Sequence, residues 1–193
     1  MSKVVFDISM SLDGFVTGPN RRPQTELGDG GEKLHDWAFG EDKQGREFLE
    51  EGVSNLGAII VGRRMYDDSI SYWGGDGPTG PARRPTIVVT HAIPNETPEN
   101  GVYTFVTDGI VSALKSAQSI AGDKIVAIGG GADIAQQYIR AGLVDEIVIH
   151  LVPVLFGDGL RLFEHLNDKQ VQLETIEVIQ TSAATHIRFR IVK

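Results

Sequence analysis

Residues 125–152 read IVAIGGGADIAQQYIRAGLVDEIVIHLV, and the kind of fold can be inferred from them. The first four residues are apolar, as in a buried strand, and three glycines follow. Residues 132–141 then repeat apolar side chains at helical spacing, and Gly142 ends this helix as glycine commonly does. A second apolar run covers 144–152. The stretch predicts a strand, a glycine turn, a helix and a second strand, the unit from which α/β sheets are built.

Segments on either side continue this alternation. Val4, Phe6, Ile8 and Met10 have the period of two expected of a first strand over 3–10. The later patterns predict a helix at 48–56, strands at 58–61, 85–90 and 102–106, a helix at 110–121, and an antiparallel strand pair near 170–180 and 184–192. The predicted buried stripe of the helix at 110–121 comprises Ile110, Leu114, Ala117 and Ile120. With 193 residues and no linker-like segment, the chain is predicted to form one α/β domain, 1–193.

Residues 17–44 are the longest stretch without periodicity, and they are rich in Gly, Pro, Asn and Asp. A loop of this length in a compact domain is more often a lid or a binding loop than a simple connection. Trp37 and Phe39 are the side chains expected to pack it against the domain.

Composition narrows the classes of function. A net charge of −8 disfavours nucleic acid and anionic membranes as partners, and the absence of Cys excludes thiolate catalysis and Cys-bound zinc. The first ten residues lack the apolar run of an export signal, and no apolar run reaches the length that spans a bilayer, so a cytoplasmic protein is expected. No metal is assigned, because the histidines lack metal-binding spacing: His35, His91, His150, His165 and His186. His150 is interpreted as a core histidine with its hydrogen bonds satisfied.

Three predicted strand ends have residues suited to a dinucleotide, and open α/β sheets bind ligands outside the carboxyl ends of their strands. Gly62, Arg63 and Arg64 follow the strand at 58–61. Two guanidiniums there suit the phosphates of NADP, although two solvated arginines explain the pattern equally well. Thr90 and His91 follow the strand at 85–90, either as ligands of phosphate and adenine or as turn residues.

The third strand end is Gly129-Gly130-Gly131-Ala132-Asp133. Glycine lets a pyrophosphate approach the backbone N–H groups at the start of the next helix. The segment matches only part of the dinucleotide pattern G-x-G-x-x-G, because Ile134 replaces the third glycine. A Rossmann fold is therefore disfavoured.

The order of these motifs resembles a known family. The motifs that carry this resemblance are Ser11-Leu12-Asp13-Gly14-Phe15, Gly62-Arg63-Arg64, Gly129-Gly130-Gly131 and the segment at 153–159, PVLFGDG. Over residues 3–192 the chain is similar to the reductase domain of the bifunctional riboflavin-biosynthesis deaminase/reductase, in the dihydrofolate-reductase-like group. The resemblance implies a three-layer α/β fold with a mainly parallel eight-stranded sheet and an antiparallel C-terminal strand, with NADPH lying over the strand ends.

The resemblance also implies roles. By this resemblance, the adenosine phosphates of NADPH are bound by Gly62, Arg63, Arg64, Thr90 and His91. The pyrophosphate and nicotinamide side is bound by Gly129, Gly130, Gly131, Ala132 and Asp133. Asp13 is the carboxyl group expected to polarise the substrate or relay a proton, with a plain Asp-Gly turn as the alternative. Ser9, Gly14 and Trp37 are placed on the substrate side. Family members are often homodimers, and a homodimer is expected here.

The implied reaction is hydride transfer from NADPH to a small heterocyclic or ribosylamine substrate, as with 5-amino-6-(5-phosphoribosylamino)uracil. The zinc deaminase half of the bifunctional enzyme needs Cys ligands and has no counterpart here. The alternatives are a dihydrofolate reductase, another small-molecule reductase, or a non-catalytic NADP-binding protein. The resemblance implies that a dihydrofolate reductase would bind the pteridine ring with an acid on its first helix, after a Trp and a Pro. Dihydrofolate is disfavoured because no such Pro follows Trp37 and because the acids of the next helix, Glu47, Glu50 and Glu51, are expected to face solvent.

Overall fold

The computed structural model describes residues 2–22, 25–164, 166 and 170–193, so His165 lies outside the described residues. The strands are Val4–Ser11 (β1), Leu56–Gly62 (β2), Thr86–Val89 (β3), Tyr103–Val106 (β4), Ile125–Ile128 (β5), Glu146–Val152 (β6), Leu173–Gln180 (β7) and Thr185–Ile191 (β8). The α-helices are Asp36–Phe39 (α1), Lys43–Asn55 (α2), Arg63–Trp73 (α3), Ile110–Ala121 (α4) and Ala132–Arg140 (α5). Short 3-10 turns cover Gly31–His35, Gly74–Asp76 and Gly80–Ala82.

The strands form one eight-stranded sheet in the order β4-β3-β2-β5-β1-β6-β8-β7. Strand β8 runs antiparallel to both β6 and β7, and the other pairings are parallel. The predicted mainly parallel sheet with an antiparallel C-terminal strand is confirmed. Strand β1 lies near the middle, where Phe6 pairs with Ile128 of β5 and Ser9 pairs with His150 of β6.

Helices cover both faces of the sheet and make three layers. The larger core lies under α4 and α5, around fully buried Phe6, Ile60, Ile128 and Tyr138. On the opposite face, Tyr66 of α3 packs on β2 and β3, while Trp37 of α1 is the centre of a separate cluster beside β6. In the part of the chain that the structure describes, no helix has the length and apolarity to cross a membrane.

The unit at 125–152 forms as predicted. Gly142 has a φ of +66°, a backbone conformation that glycine adopts without strain, directly after the cap of α5. Its N–H donates to Ile139 O at 3.0 Å, and the N–H of Leu143 donates to Tyr138 O at 3.1 Å. These two bonds make a Schellman motif, which ends the helix and returns the chain to the sheet.

Helix α3 was not predicted, because its sequence, RRMYDDSISYW, is mostly polar, although Tyr66, Ile70 and Trp73 recur at helical spacing and pack into one cluster. In α4 the predicted stripe is partly wrong, since Ile120 is exposed while Ala113 and Ala121 are buried. The reason is a close approach of backbones. A Cβ at Gly57 of β2 would lie 2.6 Å from the Cα of Ala121, so small residues occupy this contact.

The segment at 17–44 is less of a loop than predicted. Residues 31–39 fold into a 3-10 turn and α1, which bury Leu34, Trp37 and Ala38. The packing role expected of Trp37 is confirmed. The same role is wrong for Phe39, whose exposure is 76%.

Candidate functional site

Two helices begin side by side at the carboxyl edge of the sheet. Helix α3 follows β2 and helix α5 follows β5, and these strands are neighbours. A Cβ at Gly62, the residue before α3, would lie 3.7 Å from the Cβ of Ile134 in α5. The unpaired backbone N–H groups of both helix starts therefore converge on one region, which is a suitable environment for an anion.

The glycine turn of the sequence analysis lies between these helix starts. Gly130 and Gly131 have φ values of +103° and +87°, which L residues with a side chain rarely adopt. A Cβ at Gly130 would lie 3.5 Å from the Sδ of Met65 and 3.8 Å from the Cδ1 of Ile8. A longer side chain would fill this space. The turn thus leaves a small hollow that the side chains of Met65 and Ile8 bound. Asp133, in the first turn of α5, is exposed and accepts a hydrogen bond from Gln137.

The two predicted arginines have different environments. Arg63 donates to both carboxylate oxygens of Asp67 at 2.7 and 2.9 Å and to Ala92 O at 2.7 Å. Arg64 is exposed. A third guanidinium lies nearby, because Arg21 forms an ion pair with Asp68 of α3. Burial, and after it the charge of Arg64, lowers the pKa of Arg21. The segment at 17–44 therefore adds one guanidinium to α3, whose own two arginines are balanced by Asp67 and Asp68.

Thr90 and His91 follow β3 at the same edge. Thr90 is buried, and its hydroxyl donates to Ala92 O at 2.8 Å and accepts from Arg63 at 3.3 Å. His91 is exposed. The structure therefore brings Thr90 and Arg63 together, with Thr90 holding the strand end and His91 open to a ligand.

On the substrate side, Ser9 and Trp37 are in contact. The indole Nε1 of Trp37 donates to the hydroxyl of Ser9 at 2.9 Å, and both residues are buried. The indole packs on the rings of His150 and His186, with centroids 4.0 and 4.9 Å away. The indole is therefore part of a packed cluster, and its direct contact with substrate stays a prediction.

Asp13 has protein partners on several sides. Its carboxylate accepts from the hydroxyl of Ser11 at 2.7 Å, from the backbone N–H of Phe156 at 3.1 Å and from that of Gly157 at 2.7 Å. The Ser11 bond, followed by those two amides, lowers the pKa of Asp13. The carboxylate is therefore ionised and joins the Asp13-Gly14 turn to the loop at 153–159. These bonds favour the turn role, and a role in proton relay stays a prediction.

The sequence analysis missed an acid in the first strand. Asp7 lies on the same face of β1 as Ser9, and its carboxylate lies 2.9 Å from the Nε2 of His150. The Nδ1 of His150 lies 2.7 Å from the Nδ1 of His186. His150 is thus a hydrogen-bonded core histidine, as interpreted from the sequence. The period of two in β1 was the available signal, since it puts Asp7 and Ser9 together opposite the apolar face.

A second missed acid is Asp42, five residues after Trp37. It caps α2 by accepting from Gly45 N at 3.0 Å, and it also accepts from Ala183 N at 3.1 Å. A hydrogen bond with Thr181 and these amides lower its pKa to about 2. This carboxylate is buried and already engaged. The other acids of α2 are exposed, as predicted: Glu47, Glu50 and Glu51.

His186 makes the stability of the fold depend on pH. Burial, followed by the neighbouring His150, lowers the pKa of His186 to about 4. The unfolded chain takes up this proton near pH 6.5, so the contribution of His186 is complete above that pH and is lost as the pH falls toward 4. We expect the free energy of unfolding to fall by up to about 3 kcal/mol over this window.

Urea denaturation at several pH values from 7.5 to 4 measures this loss. His186→Gln should flatten the slope, whereas His91→Gln, at an exposed histidine, should leave it unchanged. A native protein equally stable at pH 7 and pH 4.5 would contradict the expectation. Below pH 4 the lowered pKa of Asp42 adds a second loss, because the unfolded chain protonates this acid first.

The sheet order, the three layers and the edge at β2 and β5 define the class of protein, a dihydrofolate-reductase-like α/β domain. Residues 2–187 match the model of the RibD C-terminal domain. The chain belongs to the RibD C-terminal domain family.

Comparisons with known proteins agree with this assignment. The uncharacterized protein YyaP of Bacillus subtilis is 26% identical over 188 residues, which cover 90% of this chain and 88% of YyaP. Among solved structures, a putative riboflavin biosynthesis protein from Shewanella sp. PV-4 has a TM-score of 0.72 at 22% identity, with both chains fully covered. Dihydrofolate reductase from Enterococcus faecalis, complexed with NADP(H) and RAB-propyl, has a TM-score of 0.63 at 15% identity, covering 99% of this chain and 97% of that one.

Proposed function

We propose that the protein is an NADPH-dependent reductase of a small molecule, of the riboflavin-pathway type. The observation behind this proposal is the convergence of the α3 and α5 starts around a glycine turn with two positive φ values. Membership of the RibD C-terminal domain family supports it. NADPH, when bound, supplies the hydride, and the residues of this chain bind it and orient the acceptor.

The residues present fit this cofactor. Gly130 and Gly131 leave room for the pyrophosphate, whose charge the two helix starts stabilise. Arg64, with Arg21 nearby, provides positive charge for a further phosphate, while Arg63 and Thr90 fix the end of β3. The dihydrofolate reductase with a similar fold is described as complexed with NADP(H).

The acceptor is a small molecule bound beside the glycine turn, next to β1 and β5. Dihydrofolate is the weaker candidate, since the buried acid after Trp37, Asp42, already accepts two backbone N–H bonds. The proposed acceptor is therefore a heterocyclic or ribosylamine compound. Oxidation of NADPH in the presence of such a compound distinguishes an enzyme from a protein that binds the cofactor without turnover. Assembly as a homodimer stays a prediction of the family resemblance.

The protein should prefer NADPH over NADH. Exchanging both arginines, Arg63→Ala and Arg64→Ala, should weaken NADPH binding about ten- to a hundredfold, because charge-assisted bonds to the 2'-phosphate are lost. NADH binding should change far less. Fluorescence titration of both proteins with both cofactors measures this. Native protein that binds NADH as well as NADPH would disprove the assignment.

The single variants separate the two arginines. Arg64→Ala should remove most of the NADPH preference at unchanged stability, whereas Arg63→Ala should chiefly lower stability, because Arg63 bonds Asp67 and Ala92. Arg190→Ala is a matched control. Arg190 pairs with Glu174 at the far side of the sheet, so its loss should leave both cofactor affinities unchanged.

A further inference from the structure

Asp7 presents a partly exposed carboxylate from β1. Its side chain is 45% exposed, although its neighbour Ser9 is buried. Phe6 pairs with Ile128 in the parallel register of β1 and β5. Gly129, the residue after β5, therefore lies beside Asp7. Trp37, bonded to Ser9, bounds the other side. Asp7 therefore lies between the glycine turn proposed for the cofactor and the aromatic cluster.

A chain of hydrogen bonds ends at this carboxylate. The ionised carboxylate only accepts, so the Nε2–H of His150 donates to Asp7 over 2.9 Å. In a neutral His150 the Nδ1 is then the acceptor, and the Nδ1–H of His186 donates to it over 2.7 Å. His186 Nε2 lies 3.3 Å from the hydroxyl of Thr181, which donates to Ala184 O at 3.1 Å. Both histidines then donate in the direction of Asp7.

Packing fixes this chain in place. His150 and His186 are each 2% exposed. The ring of Phe48 stacks on His186 at 4.6 Å, and the indole of Trp37 covers His150 at 4.0 Å. One oxygen of Asp7 is thus held by a rigid donor. Among the described residues, no protein donor bonds the other oxygen, Oδ2, which leaves it to a ligand.

We propose that Asp7 is a substrate-binding residue of this site, and that His150, backed by His186, is its positioning residue. The inference rests on the proposed function, since it places the substrate beside the cofactor. An oriented carboxylate with a free oxygen accepts N–H groups and favours positive charge while repelling anions. The substrate class that fits is a planar compound presenting a protonated imine, an amidine or adjacent N–H donors.

Three probes with the same ring and different charge test this: benzamidine, benzamide and benzoate. Each is titrated by calorimetry into protein saturated with NADPH. We expect native protein to bind benzamidine at least tenfold better than benzamide or benzoate, and Asp7→Asn to remove this selectivity at unchanged NADPH affinity. Asp123→Asn, at an exposed acid in the turn between α4 and β5, is the matched control and should keep the selectivity. Equal binding of all three probes, or unchanged selectivity in Asp7→Asn, would overturn the inference.

The positioning role has its own readout. His150→Gln can still donate to Asp7 and should keep the preference for benzamidine over benzamide, whereas His150→Phe should reduce it. A loss of similar size in both variants would overturn the positioning role and leave His150 a purely structural residue.

Two measurements separate failure of the inference from other failures. If native protein does not bind NADPH, the proposed function fails, and the probe titrations of cofactor-free protein still decide the role of Asp7. If Asp7→Asn does not fold, native protein is treated with a carbodiimide and an amine, and labelling of Asp7 is mapped by mass spectrometry. Protection by benzamidine but not by benzoate supports the inference, and equal labelling with either probe overturns it.

Discussion

Replacing Gly130 by valine should weaken NADPH binding a hundredfold or more. The residue has a φ of +103°, and its missing Cβ would already lie 3.5 Å from Met65 and 3.8 Å from Ile8. The two γ carbons of valine must extend beyond that point, into the hollow between the starts of α3 and α5. A pyrophosphate that approaches the backbone N–H groups there would meet these carbons instead.

The control must separate this obstruction from backbone strain. Valine at a positive φ is strained wherever it occurs, at a cost of about 1–3 kcal/mol of stability. Gly142→Val shares this strain, with a φ of +66°, but has open space around its Cβ and lies at the opposite end of α5. We expect both variants to lose stability and only Gly130→Val to lose NADPH in a fluorescence titration. Equal affinities in the two variants would remove the glycine turn from the site.

Local signals explain what could be predicted from the sequence. The unit at 125–152 has its strand, turn, helix and cap within one short stretch, and the structure reproduces it almost residue for residue. Helix α3 has a weaker signal, because Tyr66, Ile70 and Trp73 form a narrow stripe in an otherwise polar sequence and only Tyr66 is buried. The start of α2 was placed too late for a similar reason. Its cap, Asp42, lies in a segment without periodicity and finds a partner in Ala183, 141 residues away.

The candidate site shows the same difference between local signals and long-range contacts. Its proposed cofactor side consists of strand ends that the sequence order already brings to one edge, so the glycine and arginine motifs could be selected from the sequence. The Asp7, His150 and His186 chain depends on the pairing of β1 with β6 and of β6 with β8, which joins residues 143 and 36 positions apart. No motif spacing encodes such contacts. The polar alternation of β1 indicated a polar face and not its partners.

A substitution in the aromatic cluster of Trp37, Phe48, His150 and His186 should lower the free energy of unfolding most. We expect Trp37→Ala to lower the free energy of unfolding by about 3–5 kcal/mol, because a fully packed indole is replaced by a cavity. Trp37 is 4% exposed and contacts the rings of His150, His186 and Phe48. Trp37→Phe keeps an aromatic ring and loses the N–H that bonds Ser9, so a smaller loss, of about 1–2 kcal/mol, is expected.

Urea denaturation measures both losses, and Phe39→Ala is the matched control. Phe39 lies two residues along the same helix at 76% exposure, so its truncation should change the free energy of unfolding by less than about 0.5 kcal/mol. A Trp37→Ala protein as stable as the native one would mean that the indole does not pack in this core. The phenylalanine variant also tests the substrate role assigned to Trp37. If that variant retains the native preference for benzamidine over benzamide, the indole acts by packing the histidine pair behind Asp7 and not by contacting the ligand through its N–H.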